Sequence, residues 1–239
     1  MGSEMCIRDR SILGETFDYG PYAFMETYDP NYICNHTDSH GRYSFSNQPS
    51  IAEWNCYALA SALIDLFSES ELRDILRKFN DYFYDSLIEK YRKKLGFISA
   101  QESDYDLILG LFEIMETEKL DYTNTFRELS KIISSSDNFK LSEKLSIWLT
   151  SYKDRLSKDK NSIEESKILM DENNPKYILR NYLAQSAIED AEQGRAEKID
   201  ELAKVLSNPY VDLGESMEKY CQPAPKEQQN QQLSCCLLY

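Results

Sequence analysis

The strongest constraint on this chain is an almost unbroken series of amphipathic helical stripes from residue 50 to about residue 206. Ser50-Ile51-Ala52-Glu53 reads as a capping box directly after Pro49. The Ser50 hydroxyl can accept from a free N–H of the first turn while Glu53 reaches back. Ile51, Trp54, Ala58, Leu59, Ala62, Leu63 and Leu66 then fall on one helical face. A second stripe, Leu72, Ile75, Leu76, Phe79, Phe83, Leu87 and Tyr91, predicts one helix over 70–95, with its aromatic residues packed in a core. Further helices are expected over 102–118, 122–134, 140–157 and 162–171. Asn174-Pro175 reads as a cap followed by proline at the first helical position, opening a helix that Gly194 stops; a last helix covers about 196–206. The expected class is therefore mainly α. Burying a Leu or Phe side chain contributes roughly 1.5–3 kcal/mol, so stripes on this scale can support a folded body.

Charge narrows the function. The 239 residues carry a net charge of −14, which disfavours binding to nucleic acid or to an anionic membrane, since both need basic patches. No apolar run approaches the roughly 18 residues of a membrane span, and residues 1–10 lack the apolar core of a signal peptide, so a secreted protein is not expected. The six cysteines are scattered without zinc-site spacing. Residues 222–232 are rich in Gln and Pro and read as a flexible stretch within a tail running from 213 to 239.

Residues 11–49 differ in texture. Pro21, Pro30 and Pro49, with Gly14, Gly20 and Gly41, rule out a long helix there, and long ordered loops commonly carry function. Asp18-Tyr19-Gly20 follows an apolar lead-in. In kinases an Asp-aromatic-Gly turn sets a carboxylate on the Mg²⁺ that bridges ATP phosphates. Cys34, His36, Asp38 and His40 alternate at period two, so an extended strand would put all four on one face as a transition-metal site; the plainer reading is a loop whose polar groups bond to backbone.

Asp18-Tyr19-Gly20 does not stand alone. It is followed by Asp29-Pro30-Asn31-Tyr32-Ile33-Cys34-Asn35-His36-Thr37-Asp38, by Gly41-Arg42-Tyr43-Ser44-Phe45-Ser46-Asn47-Gln48-Pro49, and by Trp54-Asn55. Asn174-Pro175-Lys176-Tyr177-Ile178-Leu179-Arg180-Asn181-Tyr182-Leu183-Ala184-Gln185 and Asn208-Pro209-Tyr210 complete the series. In this order the motifs resemble the selenoprotein O (SelO) family over residues 11 to about 212, with a variable middle from about 68 to 172. The resemblance implies the C-lobe of a protein-kinase-like fold, with the N-lobe and catalytic loop missing from this sequence. It implies a protein adenylyltransferase that moves AMP from ATP onto Ser, Thr or Tyr hydroxyls of target proteins, with Mg²⁺ as cofactor. By motif position, Asp18 is the metal ligand and also contacts the nucleotide. Residues 11–49 would hold the Asp-Tyr-Gly and activation-like segment, and 50–212 the helical lobe. Family tails of the type Ser234-Cys235 further imply a redox pair between Cys34 and Cys235. Members of this type are expected in the cytoplasm of bacteria and the mitochondria of eukaryotes.

Where the family carries Thr-Asp-Asn-Met, this chain reads Ile7-Arg8-Asp9-Arg10. The expected general base is thereby replaced by Arg8, which cannot accept a proton near neutral pH, so no catalytic residue is assigned. Residues 1–10 read as a non-native prefix, and the chain alone as an inactive piece of the enzyme. Two other functions stay open. A phosphoryl-transferring kinase-like protein is disfavoured by the absence of His-Arg-Asp and Ala-Pro-Glu motifs. A helical binding module without catalysis fits a chain that lacks a phosphate cradle.

Overall fold

Helix caps and tertiary hydrogen bonds set the element boundaries in the computed structural model, which describes residues 23–34, 38–135 and 139–228. Among the described residues there are nine α-helices: α1 Gln48–Ala62, α2 Glu69–Leu76, α3 Phe79–Lys94, α4 Asp104–Glu118, α5 Tyr122–Ser134, α6 Glu143–Leu156, α7 Ile163–Asn173, α8 Asn181–Glu192 and α9 Glu197–Leu206. The chain divides into two units. Of the described residues, the first contains 23–24, 29–34 and 38–86, and the second Met25–Tyr28, 87–135 and 139–228.

In the first unit, α1 begins two residues before the expected Ser50 cap. Pro49 sits in its first turn, where its missing N–H costs nothing, and Ser50 is already inside the helix. Asn47 holds the cap position, but its side-chain amide donates to the Gly41 carbonyl (3.0 Å) instead of serving the helix. A true capping box opens α2. The Ser68 hydroxyl accepts from Glu71 N (3.3 Å), and a Glu71 carboxylate oxygen accepts from Ser68 N (3.1 Å). The single helix expected over 70–95 is two. Lys78 N reaches back only to Ile75 O (3.2 Å), so α2 closes in a tight 3-10-type turn before α3 starts. Only part of the expected stripes is core: Leu76 is buried here, and Tyr91 further along α3. Trp54, Leu59, Leu66, Ile75 and Tyr82 are exposed, Phe79 and Phe83 are half-buried, and Asn55 is the buried residue of α1.

In the second unit the expected helices are found with small boundary shifts. Asp121 caps α5 by accepting from Asn124 N (2.8 Å), Ser142 caps α6, and Ser162 and Glu165 form the capping box of α7. α4 packs on α6 and α5 on α7. Between them lie Leu95, Phe97, Leu111, Met115, Phe126, Leu129 and Met170, all almost wholly buried. Tyr152 stacks on Trp148 with ring centroids 5.0 Å apart and donates its hydroxyl to Leu95 O (2.8 Å), which satisfies the polar tip of a fully buried ring. A second cluster joins α8 and α9 through Tyr177, Ala187, Leu202, Val205, Tyr220 and Cys221.

Two expectations change in this unit. No helix starts at Asn174-Pro175. Asn174 is extended, as the residue before proline tends to be, and Lys176 N and Tyr177 N are both spent on Pro209 O (2.7 and 3.1 Å). α8 therefore starts only at Asn181. Part of the tail expected to be flexible, residues 213–224, packs instead: a 3-10 turn at Glu215–Tyr220 carries buried Tyr220, and Cys221 and Ala224 are also buried, while 225–228 are exposed. Its apolar residues, not its Gln and Pro content, decide its placement.

Gly96 ends α3's turn at φ +76°, and a Cβ there would lie 3.0 Å from both Ser166 O and Met170 Cγ. Gly194 has a similar φ of +79° with nothing within 4 Å. Gly194→Ala should therefore cost only backbone strain of about 1 kcal/mol, whereas Gly96→Ala adds displacement of α7 and should cost about 3 kcal/mol in urea unfolding. Equal losses for the two variants would contradict the close approach of α7.

Candidate functional site

The first unit contains the loop from Asp29 to Asn47, and its geometry follows from short side chains that bond their own backbone. Asp29 Oδ1 accepts from Asn31 N (2.8 Å). Asp38 accepts from Arg42 N (3.0 Å) and Tyr43 N (2.8 Å) with separate carboxylate oxygens, across a turn in which Gly41 adopts φ +64°. Phe45 N donates to Tyr32 O and Ser46 N to Pro30 O, both at 2.9 Å. These two bonds lace the Asp29–Asp38 motif to the Gly41–Pro49 motif, so the loop has a fixed base. The Arg42 guanidinium lies 4.8 Å from the Trp54 ring centre, which ties the loop to α1 by a cation–π contact.

Several sequence-predicted residues can be compared with this geometry. Asp18 and Cys235 lie outside the described residues, as does His36. Cys34 is half-buried in the loop. Asp38 has both carboxylate oxygens engaged by backbone N–H groups, the pattern of an ordered turn. Among the described residues no group of three or more His, Cys, Asp and Glu side chains is gathered to hold a metal.

The second unit shows what the Asn174–Gln185 motif does. Asn174, wholly buried, donates to Lys94 O and Met170 O (both 2.8 Å) and accepts from Lys94 Nζ (2.9 Å). That lysine sits 4.7 Å from the Phe126 ring centre, and burial pulls its ammonium down to about 8. Lys176 pairs with Asp212 (2.7 Å) and with Glu218. Burial works against its charge, but these two carboxylates win and raise its pKa.

Arg180 is the centre of this motif. It is wholly buried, and its Nη1 donates to Glu26 Oε2 (2.9 Å) and Asp121 Oδ2 (2.7 Å). Its Nη2 reaches Cys221 O (3.4 Å). Glu26 Oε2 also accepts from Ala224 N (3.0 Å), and the Asn124 amide donates to Cys221 O (3.1 Å). Burial disfavours the charge on Arg180, but Asp121 and Glu26 outweigh it and the guanidinium stays protonated. One side chain thus joins Met25–Tyr28, the start of α5 and the 221–224 segment. The first two of these regions also share backbone bonds, Tyr28 N to Leu120 O (2.9 Å) and Tyr122 N to Glu26 O (2.7 Å). The sequence placed Arg180 inside the Asn174–Gln185 motif without showing its partners. Asp121 could be read only as a helix cap, and nothing in the sequence pointed to Glu26.

The motifs thus pair in space, Asp29–Asp38 with Gly41–Pro49 and Asn174–Gln185 with Asn208–Tyr210. Residues 6–207 match the family described as Protein adenylyltransferase SelO, and the chain belongs to that family. The match begins inside the segment 1–10 that was set apart by sequence. Among curated relatives, the chain is 40% identical over 236 residues to the Protein nucleotidyltransferase YdiU of Vibrio cholerae serotype O1 (strain ATCC 39315 / El Tor Inaba N16961), covering 94% of this chain and 48% of that protein. It is 42% identical over 207 residues to the protein of the same name from Vibrio atlanticus (strain LGP32), covering 84% of this chain and 43% of the relative. The YdiU protein of Photobacterium profundum is 42% identical over 219 residues, covering 84% of this chain and 43% of the relative. The chain spans about half the length of the curated relatives it matches. No described helix is long and apolar enough to cross a membrane.

Proposed function

We propose that this chain is part of a protein adenylyltransferase that transfers AMP from ATP to Ser, Thr or Tyr hydroxyls of target proteins. The observation that carries the reading is the family match over residues 6–207, supported by the nucleotidyltransferase names of its relatives. In this reading the described helices belong to the C-lobe of a kinase-like fold, and the laced loop 29–49 is its activation-like segment. Asp18 holds Mg²⁺, which when bound neutralises charge on the nucleotide phosphates. The target hydroxyl oxygen attacks the α-phosphorus in line, the bond to the β-phosphate oxygen breaks, and pyrophosphate leaves with the electron pair. The hydroxyl proton needs a base. Arg8 occupies the family position for that base, so this chain by itself is inactive in our reading. The relatives are bacterial, and we assign the protein to the cytoplasm. Cys34 and Cys235 form a reversible pair when an external oxidant takes two electrons and two protons. Non-reducing peptide mapping of oxidised protein should find them linked, and recovery of both as thiols would reject the pair.

The transfer is tested by grafting residues 11–207 of this chain in place of the corresponding residues of the Vibrio cholerae relative, keeping the relative's own sequence up to the position of residue 10 and with it the general base, and supplying ATP labelled at the α- or the γ-phosphate. Target protein should gain label from the α-position only. Asp18→Asn should cut the rate by on the order of 100-fold. Label from the γ-phosphate alone would favour the kinase reading. Failure to transfer either label, with the chimera folded and Asp18 intact, would favour a binding module.

A further inference from the structure

Two lysines of the second unit are withdrawn from solvent, and their surroundings differ. Lys176 keeps only 6% of its side chain exposed and answers its charge with two carboxylates, Asp212 and Glu218. Lys94, the last residue of α3, has no such partner among the described residues. Acids on the adjoining elements are spent on other bases: Glu89 on Lys93, Asp171 on Arg127 and Lys167, and Asp121 on Arg180. What faces the Lys94 amine is Asn174 Oδ1, which accepts from Nζ at 2.9 Å, and the rings of Phe126 and Tyr122, with centres 4.7 and 6.0 Å away. Arg127 adds a positive charge, since its Nη1 donates to the carbonyl of the same Asn174 at 3.1 Å. A lysine desolvated among apolar groups without an acid is the arrangement that makes an amine a nucleophile. The side chain is half-buried rather than sealed, so a small reagent can reach Nζ.

We propose that Lys94 is a covalent modification site whose Nζ takes small acyl groups from activated donors, a thioester or an acyl phosphate. The neutral amine attacks the carbonyl carbon of the donor and a C–N bond forms. The C–S or C–O bond breaks, and the thiolate or phosphate leaves with that electron pair and takes up the proton that nitrogen releases. The supply of neutral amine fits this step. With its ammonium pulled down to about 8 by burial, roughly a quarter of Lys94 is free amine near pH 7.5, against roughly 0.1% of a lysine with the ordinary value of about 10.4. The product also suits the site. Its amide keeps one N–H for Asn174 Oδ1, and it removes a charge that burial disfavours, at the loss of the contacts between the ammonium and the two rings. This inference does not involve AMP transfer, so it can fail or hold independently of the proposed activity.

The test is site-resolved mass spectrometry after brief exposure of the full chain to acetyl-CoA or, separately, to acetyl phosphate near pH 7.5. Lys94 should gain acetyl about tenfold faster than its neighbour Lys93, whose side chain is 46% exposed and paired with Glu89. That margin allows for partial burial and for the weaker attack of a less basic amine. Lys176 should stay unmodified, because its two carboxylates hold it protonated. The Lys94 rate should level off above about pH 8, while the Lys93 rate keeps rising to about pH 10. In urea the two rates should become equal, since the preference belongs to the fold. Reaction with one donor alone would support the site and assign its donor class. A native Lys94 that reacts no faster than Lys93 with either donor, or whose rate climbs alongside that of Lys93 to about pH 10, would overturn the proposal.

Discussion

Arg180→Leu is expected to cost about 3–5 kcal/mol in urea unfolding, the range for removing one partner of a buried ion pair. Glu26 and Asp121 would be left facing each other with little solvent, since only 20% and 17% of their side chains are exposed. The effect should be local in its first consequences. Amide exchange should rise at Tyr122 and Ala224, whose N–H groups bond to Glu26, before the α4–α7 core opens. Arg180→Lys should recover less than half of the loss, because an ammonium is a point charge and cannot reach two carboxylates and the Cys221 carbonyl in the geometry of a planar fork. A loss under about 1 kcal/mol for Arg180→Leu would mean that the clamp is solvated, contrary to its burial.

The second large effect is expected at Asp104. It has no exposed surface and accepts from Arg155 Nε (2.5 Å), Arg92 Nε (2.6 Å) and Gln101 N (2.9 Å), joining α3, α4 and α6. Arg155 also donates to Ser99 O (2.7 Å) and makes an ion-pair contact with Asp159 (3.1 Å) that lacks hydrogen-bond alignment. Burial pushes the Asp104 carboxyl up, but the hydrogen bonds from Arg155, Gln101 N and Arg92 outweigh it and hold its pKa below the ordinary value. Asp104→Ala should cost about 3–5 kcal/mol near neutral pH, and adding Arg155→Met should recover part of that by removing the stranded charge.

The sign of the pH dependence follows from the depressed folded value. Asp104 contributes its full stability above the unfolded carboxyl value of about 4 and loses it as pH falls through the folded pKa. The stability gap between parent and Asp104→Asn should therefore be flat above about pH 5 and close below about pH 4. A gap that widens on acidification would contradict the ion cluster.

Much of the second unit was legible in the sequence because its signals are local. Asp121, Ser142 and Ser162 stand where helices start, and the stripes of α4 to α7 meet one another in the core. The order of short motifs carried the family for the same reason, since each motif is a contiguous string. The first unit shows the limit of such reading. Periodicity marked Trp54 and Leu59 as core, but periodicity reports which residues avoid water, not whether covering chain is at hand.

What the sequence determined by itself was the helical class, most helix starts and the family. What only the tertiary structure decided was where long-range partners spend backbone and charge. Pro209 O takes the two N–H groups that would have begun a helix at Asn174-Pro175, and Glu26 meets Arg180 across 154 positions of chain. Neither choice has a local signal, because an extended segment and a buried arginine are stable only once their distant partners have arrived.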